Sequence, residues 1–283
     1  MPASPYSSVQ QARKSVAERL VEIRKDAGIP TSRAMAERLG WYESKVSRVV
    51  NGVTPPSEAD VRAWCVECSA EDEIPELIAL LRTAEGAYIE WRRMERAGLR
   101  AAQEQVLPLY ERTEHFRAYS PNLVPGLIQV RTYTAAVLRA TQLRRGLVDD
   151  VEEAVQVRMD RQHLLHEPGK TFVFVLEETV LRNRVADNEA MGDQLGHLLQ
   201  MMARPNISLG IIPLGVPRDR YGPEGFRLHD ASQASIELVG AYLTVTQRRE
   251  IALYEQAFTD LSALAVHGSA ARKLIAAAVD ALG

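Results

Sequence analysis

The chain opens with apolar residues at every third or fourth position, a pattern that predicts short amphipathic helices. Val16, Leu20 and Ile23 form the apolar face of the first of them. Glycines and the turns "NG" and "TPPS" separate the segments, because left-handed backbone and proline end a helix. The pattern predicts a unit of five helices over residues 1–84.

The pattern changes farther along the chain. Residues 85–120 are dense in charge and in helix-forming residues, so we predict a linker helix there, with Pro108 as a break or kink. The runs "KTFVFVLE" and "NISLGIIPL" predict buried strands, and "FRLHD", "ASIELV" and "AYLTVT" predict three shorter ones. Helical segments lie between and after them. We therefore expect a mostly α, two-domain protein with an α+β body over 121–283 that contains a small mixed sheet.

Composition narrows the class of protein. The chain has 283 residues and two cysteines, and it contains no apolar run of roughly 20 residues and no secretory h-region. We therefore expect a cytoplasmic protein without a membrane span. Residues 1–64 carry ten basic and seven acidic side chains, a charge of +3, against 24 and 30 in the remainder, a charge of −6. Such an asymmetry suits a small DNA-contacting head on an acidic body.

The stretch "MAERLGWYESKVSRVVNG", Met35 to Gly52, is the most informative in the chain. Two helices that cross closely need a small residue at the crossing, and Ala36 supplies it. The turn needs positive φ, which Gly40 allows. Val46 and Val49 then hold the second helix while polar side chains point outward. The stretch predicts a DNA-reading hairpin, although ordinary helical packing produces similar hairpins.

This pattern resembles the Xre (lambda-repressor-like) helix-turn-helix family at the positions just named. Two positions depart from it, since Tyr42 occupies the usual Ser or Thr cap of the recognition helix and Val50 replaces a frequent Glu. The resemblance implies a five-helix, lambda-repressor-like head that binds double-stranded DNA as a homodimer. The expected DNA-binding residues are Arg33, near the start of the first helix of the hairpin, and Glu43, Ser44, Lys45, Ser47, Arg48 and Asn51, on or next to the second helix.

The segment "NLVPGLIQVRTYTAAVL", Asn122 to Leu138, carries a second resemblance, to actinomycete regulators of the WhiJ-like class. "VRMDRQ", "FVLEETVLR", "MGDQLGHLL" and "ISLGIIPL" extend it. The resemblance implies an antitoxin-like body, paired with a small companion protein. Tyr133 is a candidate ligand or partner residue, although a packing role for the motif is the simpler interpretation.

The loop "GVPRDRYGPEGF" is rich in glycine, proline and charge. Arg218, Arg220 and Tyr221 are candidate ligand or partner contacts on it, with a solvated surface loop as the plainer alternative.

Signals for catalysis are weak. Glu177 and Glu178 follow a strand end, and His163 and His166 share a helical face near Glu167. No motif ties them to a further group, and solvated or capping roles explain them better. Cys65 and Cys68 form a single C-x-x-C, for which a buried helical pair is favoured over a thiol switch. We expect no catalytic residues, no metal and no cofactor.

The sequence thus predicts a dimeric, sequence-specific DNA-binding transcription regulator. Its C-terminal domain is expected to sense a small-molecule effector or to bind a partner protein. Two alternatives stay open: an antitoxin-like protein that neutralises a small companion, and an enzyme with a fused DNA-binding head.

Overall fold

The computed structural model of the chain describes residues 6–283, with all side chains among them except those of residues 6–13, 79, 82–90 and 92–93. The chain divides into two compact units, Met1–Ile89 and Glu90–Gly283. The first unit, the head, is helical. The second, the body, combines helices with a sheet, so the predicted fold class is confirmed.

Among its described residues the head contains five α-helices, as the apolar pattern predicts. Their inner faces share one core around Leu20, Met35 and Trp64, each without exposed surface. The Trp64 indole N–H also donates to the backbone carbonyl of Leu20 at 3.0 Å, which satisfies the only polar atom of that side chain. The helices are α1 Tyr6–Asp26, α2 Ser32–Leu39, α3 Glu43–Val50, α4 Glu58–Glu67 and α5 Ile74–Ala87.

The body contains nine α-helices and six strands among the described residues, and a short strand, β1 Tyr88–Glu90, spans the division of the chain between the two units. The helices are α6 Trp91–Met94, α7 Leu99–Gln105, α8 Leu107–Arg112, α9 Arg131–Arg145, α10 Val151–Asp160, α11 Glu178–Arg182, α12 Asn188–Met201, α13 Arg248–Leu264 and α14 Gly268–Asp280. The strands are β2 His115–Ser120, β3 Thr171–Glu177, β4 Ile207–Ile212, β5 Phe226–His229, β6 Gln233–Glu237 and β7 Ala241–Val245.

The six body strands form one mixed sheet in the order β7-β6-β5-β2-β3-β4. Strand β2 is central, since it pairs antiparallel with β5 and parallel with β3, and Phe116 lies opposite both His229 and Phe172. Strands β3 and β4 are also parallel. The predicted strands are all present, and their mixed directions agree with the expected mixed sheet.

Helices cover both faces of this sheet, which explains why its strands are apolar on both sides. Phe116 and Phe174 point into a core shared with α9, α12 and α14. On the other face Arg117 donates to Glu255 of α13 at 2.8 Å, and Phe226 packs edge-on against Tyr254 of the same helix.

Residues 85–120 differ from the predicted single linker helix. They contain the end of α5, four short elements and the whole of β2, and residues from 90 onward belong to the body. Gly98 stops any continuous helix, because its φ is +97° and the Asp150 carboxylate occupies the space of a side chain. Pro108 lies in the first turn of α8, where its missing N–H has no helical partner to lose.

Candidate nucleic-acid interface

Helices α2 and α3 and the turn between them form a closed hairpin. The Thr31 hydroxyl caps α2 by accepting from the Ala34 N–H at 3.1 Å. Gly40 ends the helix with φ of +65°, and the Trp41 N–H then donates to the Ala36 carbonyl at 2.9 Å. The turn between α2 and α3 is thereby completed within three residues, 40–42, and begins at Gly40 as predicted.

The inner side of the hairpin is apolar and buried. Met35 and Ala36 of α2 face Val46 and Val49 of α3, and none of the four is more than 3% exposed. Ala36, the small residue expected at the crossing, belongs to the same buried cluster. Val50, at the position of a frequent acid in the resembling family, is partly buried and packs against the same core.

The start of α3 has an unusual cap. Tyr42 occupies the N-cap position and makes no side-chain capping bond, as predicted. Its ring is 86% exposed, beside the helix N-terminus. A phenol at such a place can donate to a phosphate, so Tyr42 joins the candidate DNA contacts. The sequence signal that could have identified Tyr42 is the absence of Ser or Thr at this N-cap position.

The outer face of α3 is polar, and its candidate side chains are exposed. Among the described residues Arg48 has no carboxylate partner, so its guanidinium is available to a phosphate or a guanine edge. The Asn51 amide instead donates back to the Ser47 carbonyl at 2.7 Å. The exposed members are Glu43, Ser44, Ser47, Arg48 and Asn51.

Lys45 is more constrained than its neighbours. Its ammonium donates to the Asp60 carboxylate of α4 at 2.6 Å and lies 3.8 Å from the centre of the Trp41 ring. Asp60 also completes the capping box of α4 with Ser57. Burial favours a higher pKa for Asp60, but the hydrogen bonds from Lys45 and Ser57 outweigh it and lower that pKa. Lys45 is therefore engaged within the head.

Arg33 lies in the first turn of α2 with an exposed side chain. It forms an ion pair with Glu37, one turn later, at 3.3 Å. Both side chains are well exposed, so the pair is weak and Arg33 can exchange Glu37 for a phosphate.

In the body, Arg218 is held by Glu177 rather than presented to solvent. Its two terminal nitrogens donate to the two carboxylate oxygens at 2.8 and 2.6 Å, and the Tyr119 hydroxyl donates to the same carboxylate at 2.8 Å. Burial favours a higher pKa for Glu177, but these bonds outweigh it and lower the pKa. The loop also packs closely here, since a Cβ on Gly222 would lie 2.2 Å from the Tyr119 ring.

The other body candidates occupy different environments. Arg220 pairs with Asp260 of α13 at 2.7 Å, and Tyr221 beside it is 77% exposed. Tyr133 has no exposed surface, and its hydroxyl accepts from the Val124 N–H at 3.4 Å. The structure thus brings Arg218, Arg220 and Tyr221 onto one loop and puts Tyr133 in the core.

The groups weighed for catalysis also have partners. Glu178 accepts from Arg182 and from the Leu214 N–H, at 2.8 and 2.9 Å. His163 lies 3.3 Å from Glu167, and His166 contacts the Arg204 guanidinium.

Cys65 and Cys68 are buried thiols, and burial raises the pKa of Cys65 to about 11. A thiol with such a pKa is a poor nucleophile at neutral pH.

Two absences hold for the described part of the chain. No cluster of three or more His, Cys, Asp or Glu side chains is arranged to hold a metal ion. No helix there has the length and apolar character needed to cross a membrane.

Comparison with known proteins adds two family matches. A family described as a helix-turn-helix domain matches residues 15–77, and one described as a domain of unknown function (DUF5753) matches residues 103–277. The first contains α2, α3 and their turn, and the second covers β2 through most of α14. No curated protein and no solved structure matches the chain.

Proposed function

The chain belongs to the DUF5753 family, and from the helix-turn-helix domain ahead of that family's domain we propose that it is a sequence-specific, DNA-binding transcription regulator. We propose that it acts in the cytoplasm, where its DNA target lies. The helix-turn-helix match supports DNA binding, whereas the domain of unknown function carries no information about a ligand or partner.

One observation carries the DNA-binding proposal: α3 buries Val46 and Val49 and exposes a polar face that contains Arg48, an arginine without a carboxylate partner among the described residues. A recognition helix needs both properties, because it must be held firmly from behind and present donors to base edges and phosphates. Ser44 and Ser47 lie on the same exposed face and add short donors.

We propose that the head is of the Xre type and acts as a homodimer. One head of this size makes few contacts, so two copies on half-sites about 34 Å apart are expected for specific binding. Sedimentation of the chain at micromolar concentration, with and without DNA, tests this, and a strict monomer in both conditions would contradict it.

We propose that the body receives the signal, either by sensing a small-molecule effector or by binding a small companion protein, as in the WhiJ-like class. The loop with Arg218, Arg220 and Tyr221 is the candidate surface for a protein, because the Tyr221 ring is exposed. An antitoxin-like role for the body is the second candidate. An enzyme is the weakest, because Glu177 and Glu178 are both engaged in ion pairs.

A gel shift on the DNA upstream of the chain's own gene tests the proposal. Arg48→Ala is expected to weaken binding by roughly 5- to 150-fold, the value of one good arginine contact of about 1–3 kcal/mol. Arg272→Ala, which removes an exposed arginine from α14 of the body, is the matched control and leaves affinity unchanged. Equal affinity of wild type and Arg48→Ala would contradict the assignment of α3 as recognition helix.

A further inference from the structure

The body contains a cavity with a volume of about 320 Å³. Helices α7, α9 and α10, the turn that follows β2 and strands β5 to β7 surround it. This volume lies at the lower end of the range of small-molecule sites. Glu237 is among the residues that line it, and 52% of its side-chain surface is accessible.

The charges around the cavity are not balanced. Among the described residues, five arginines and two glutamates line it. Glu95 pairs with Arg145 and Glu237 pairs with Arg227. The other three, Arg144, Arg158 and Arg161, have no carboxylate within ion-pair distance in the part of the chain that the structure describes, and Arg144 is exposed. Arg158 and Arg161 therefore form no ion pair within the described residues, and the carboxylate that acts on both at longer range, Glu237, is already bound by Arg227.

Arg161 is the more deeply buried of these two arginines. Its side chain is only 4% exposed, and its Nε and Nη1 atoms have no hydrogen-bond partner. Its remaining nitrogen donates to Gln103 at 3.4 Å, and its guanidinium lies 4.6 Å from the centre of the Tyr110 ring. A buried charge with unsatisfied donors costs free energy unless something compensates it. Burial accordingly lowers the pKa of Arg161.

Arg158 is held in position by two amides. It donates to Gln103 at 3.1 Å and to Gln129 at 2.9 Å, and the Thr134 hydroxyl donates to the same Gln129 oxygen at 3.0 Å. Arg158 and Arg161 are three residues apart at the end of α10, so both guanidinium groups lie on one side of the chain. Burial lowers the pKa of Arg158 to about 10, which leaves it charged at neutral pH.

This arrangement gives the "PGLIQ" motif a physical role. Gln129 ends the motif and fixes Arg158, and its amide nitrogen is anchored on the Val124 carbonyl at 2.7 Å. Gly126 of the motif also lines the cavity, and a Cβ added there would lie within ordinary contact distance of the Arg158 side chain. The motif therefore builds one wall of the cavity and orients one of its two uncompensated arginines.

Aromatic side chains form much of the remaining wall. A planar ring would pack against them, and an oxyanion would accept from the paired guanidinium groups. The aromatic lining residues are Trp91, Tyr110, Tyr119, Phe226 and Tyr242.

We propose that this cavity binds a small organic anion, a ring-bearing phosphate or carboxylate, whose oxyanion is held by Arg158 and Arg161. One part of the proposal rests on the proposed regulatory function: that binding of the anion in the cavity changes the affinity of the head for DNA. Binding itself is independent of that function.

Isothermal titration calorimetry on the full chain, without DNA, tests the binding. The probes are phenyl phosphate and benzoate, which distinguish the two oxyanions, with neutral benzyl alcohol as control. We expect saturable binding of at least one anion, competition by inorganic phosphate if phenyl phosphate binds, and no binding of benzyl alcohol. Absence of saturable binding by both anions would overturn the proposal. No DNA is present in the calorimetry, so its result does not depend on whether Arg48→Ala weakens DNA binding. The gel shift likewise does not depend on whether the cavity binds an anion.

Arg161→Met separates a ligand site from a structural arginine. Loss of an uncompensated buried charge is expected to raise the unfolding temperature of the ligand-free chain by roughly 2–4 °C, while affinity for the bound anion falls at least tenfold. A purely structural arginine would instead lower the unfolding temperature and leave affinity unchanged in the folded variant, which would overturn the proposal.

Two further variants complete the experiment. Arg139→Met removes an arginine of α9 that pairs with Asp149 outside the cavity, and it is expected to retain binding. Should Arg161→Met not fold, Arg161→Lys keeps the charge but loses the planar fork, and it is expected to bind the anion more weakly than wild type. Unchanged affinity in both position-161 variants would contradict the assigned role of Arg161.

Discussion

Lys45 and Asp60 set how much positive charge the head offers to DNA. Asp60→Asn keeps an acceptor for the Ser57 N–H but removes the charge that holds Lys45 at 2.6 Å. We expect the released ammonium to contact a phosphate, which raises DNA affinity at low salt and steepens the slope of log affinity against log salt by about 0.9. Fluorescence anisotropy titrations at several salt concentrations measure both quantities.

Ser57→Ala is the control for that experiment. It removes the cap of α4 and is expected to cost about 0.5–2 kcal/mol of stability while leaving the salt slope unchanged. An Asp60→Asn protein with the slope of wild type would show that Lys45 does not reach a phosphate.

Glu177 and Arg218 give the body a pH-dependent stability. The pKa of Glu177 lies below its ordinary value of 4.5 in the folded chain. A lowered carboxyl pKa stabilises the fold fully above the ordinary value, and this stability is lost as the pH falls through the lowered pKa. Arg218→Met should therefore lower the free energy of unfolding by about 1–3 kcal/mol at pH 7, and the difference should shrink below pH 4.5.

Urea denaturation of both proteins across this pH range measures the difference. Arg220→Met, on the same loop, removes a more exposed pair and is expected to cost less than about 1 kcal/mol at any of these values. A pH-independent effect of Arg218→Met would mean that packing of the side chain, rather than its charge, holds the loop.

Periodicity identifies which side chains face outward, but not what they contact. The exposed face of α3, with Ser44 and Arg48, follows from counting residues along one helix. Lys45, on the same helix, finds its partner 15 residues later on α4, and Arg218 finds Glu177 at a separation of 41 residues. Such pairs depend on how elements cross in three dimensions, which a single sequence does not specify.

The α2–α3 hairpin depends on one backbone conformation. Gly40 adopts φ of +65°, and no atom lies within 4 Å of a Cβ added there. Gly40→Ala should therefore lower stability through backbone strain alone, by about 1–2 kcal/mol. Gly196 in α12 has equally open surroundings but ordinary helical backbone, so Gly196→Ala should raise stability by about 0.5–1 kcal/mol.

Thermal unfolding of the two variants provides the comparison. Both substitutions add a Cβ that contacts no other atom. Opposite changes in unfolding temperature would therefore isolate the effect of the backbone angle φ. A neutral Gly40→Ala protein would mean that the turn can relax to negative φ, which the close approach of Trp41 N–H to the Ala36 carbonyl does not favour.

Elements with a strong local signal were predicted, and elements whose signal is tertiary were not. Strand β3 is an unbroken apolar run and was evident in the sequence, as were the helices with capped ends. Strand β2, "HFRAYS", has only an alternation of Phe116 and Ala118 with polar neighbours, after a segment rich in helix formers. It becomes a strand because β3 and β5, both far along the chain, pair with it on either side: Arg117 lies opposite Val173 of β3 and Leu228 of β5.

At the level of the whole chain, the division between units decides which parts fold independently. The sequence suggested a body of 121–283 after a linker, whereas the structure divides at residue 90. The difference concerns α7, α8 and β2. Without β2 the sheet loses the strand that joins β5 to β3, and the core loses Phe116. Since a sheet cut at its centre leaves two new edges, the shorter body cannot satisfy its backbone groups.

We therefore expect a fragment of residues 90–283 to fold and one of residues 121–283 not to. Circular dichroism melting and amide proton dispersion in NMR spectra report the outcome. The longer fragment should unfold cooperatively with dispersed amide signals, and the shorter one should lack both, because its two half-sheets share no central strand. A fragment of residues 1–89 serves as control for independent folding of the head. Cooperative unfolding of 121–283 would mean that the family's domain, matched from residue 103, is stable without its central strand.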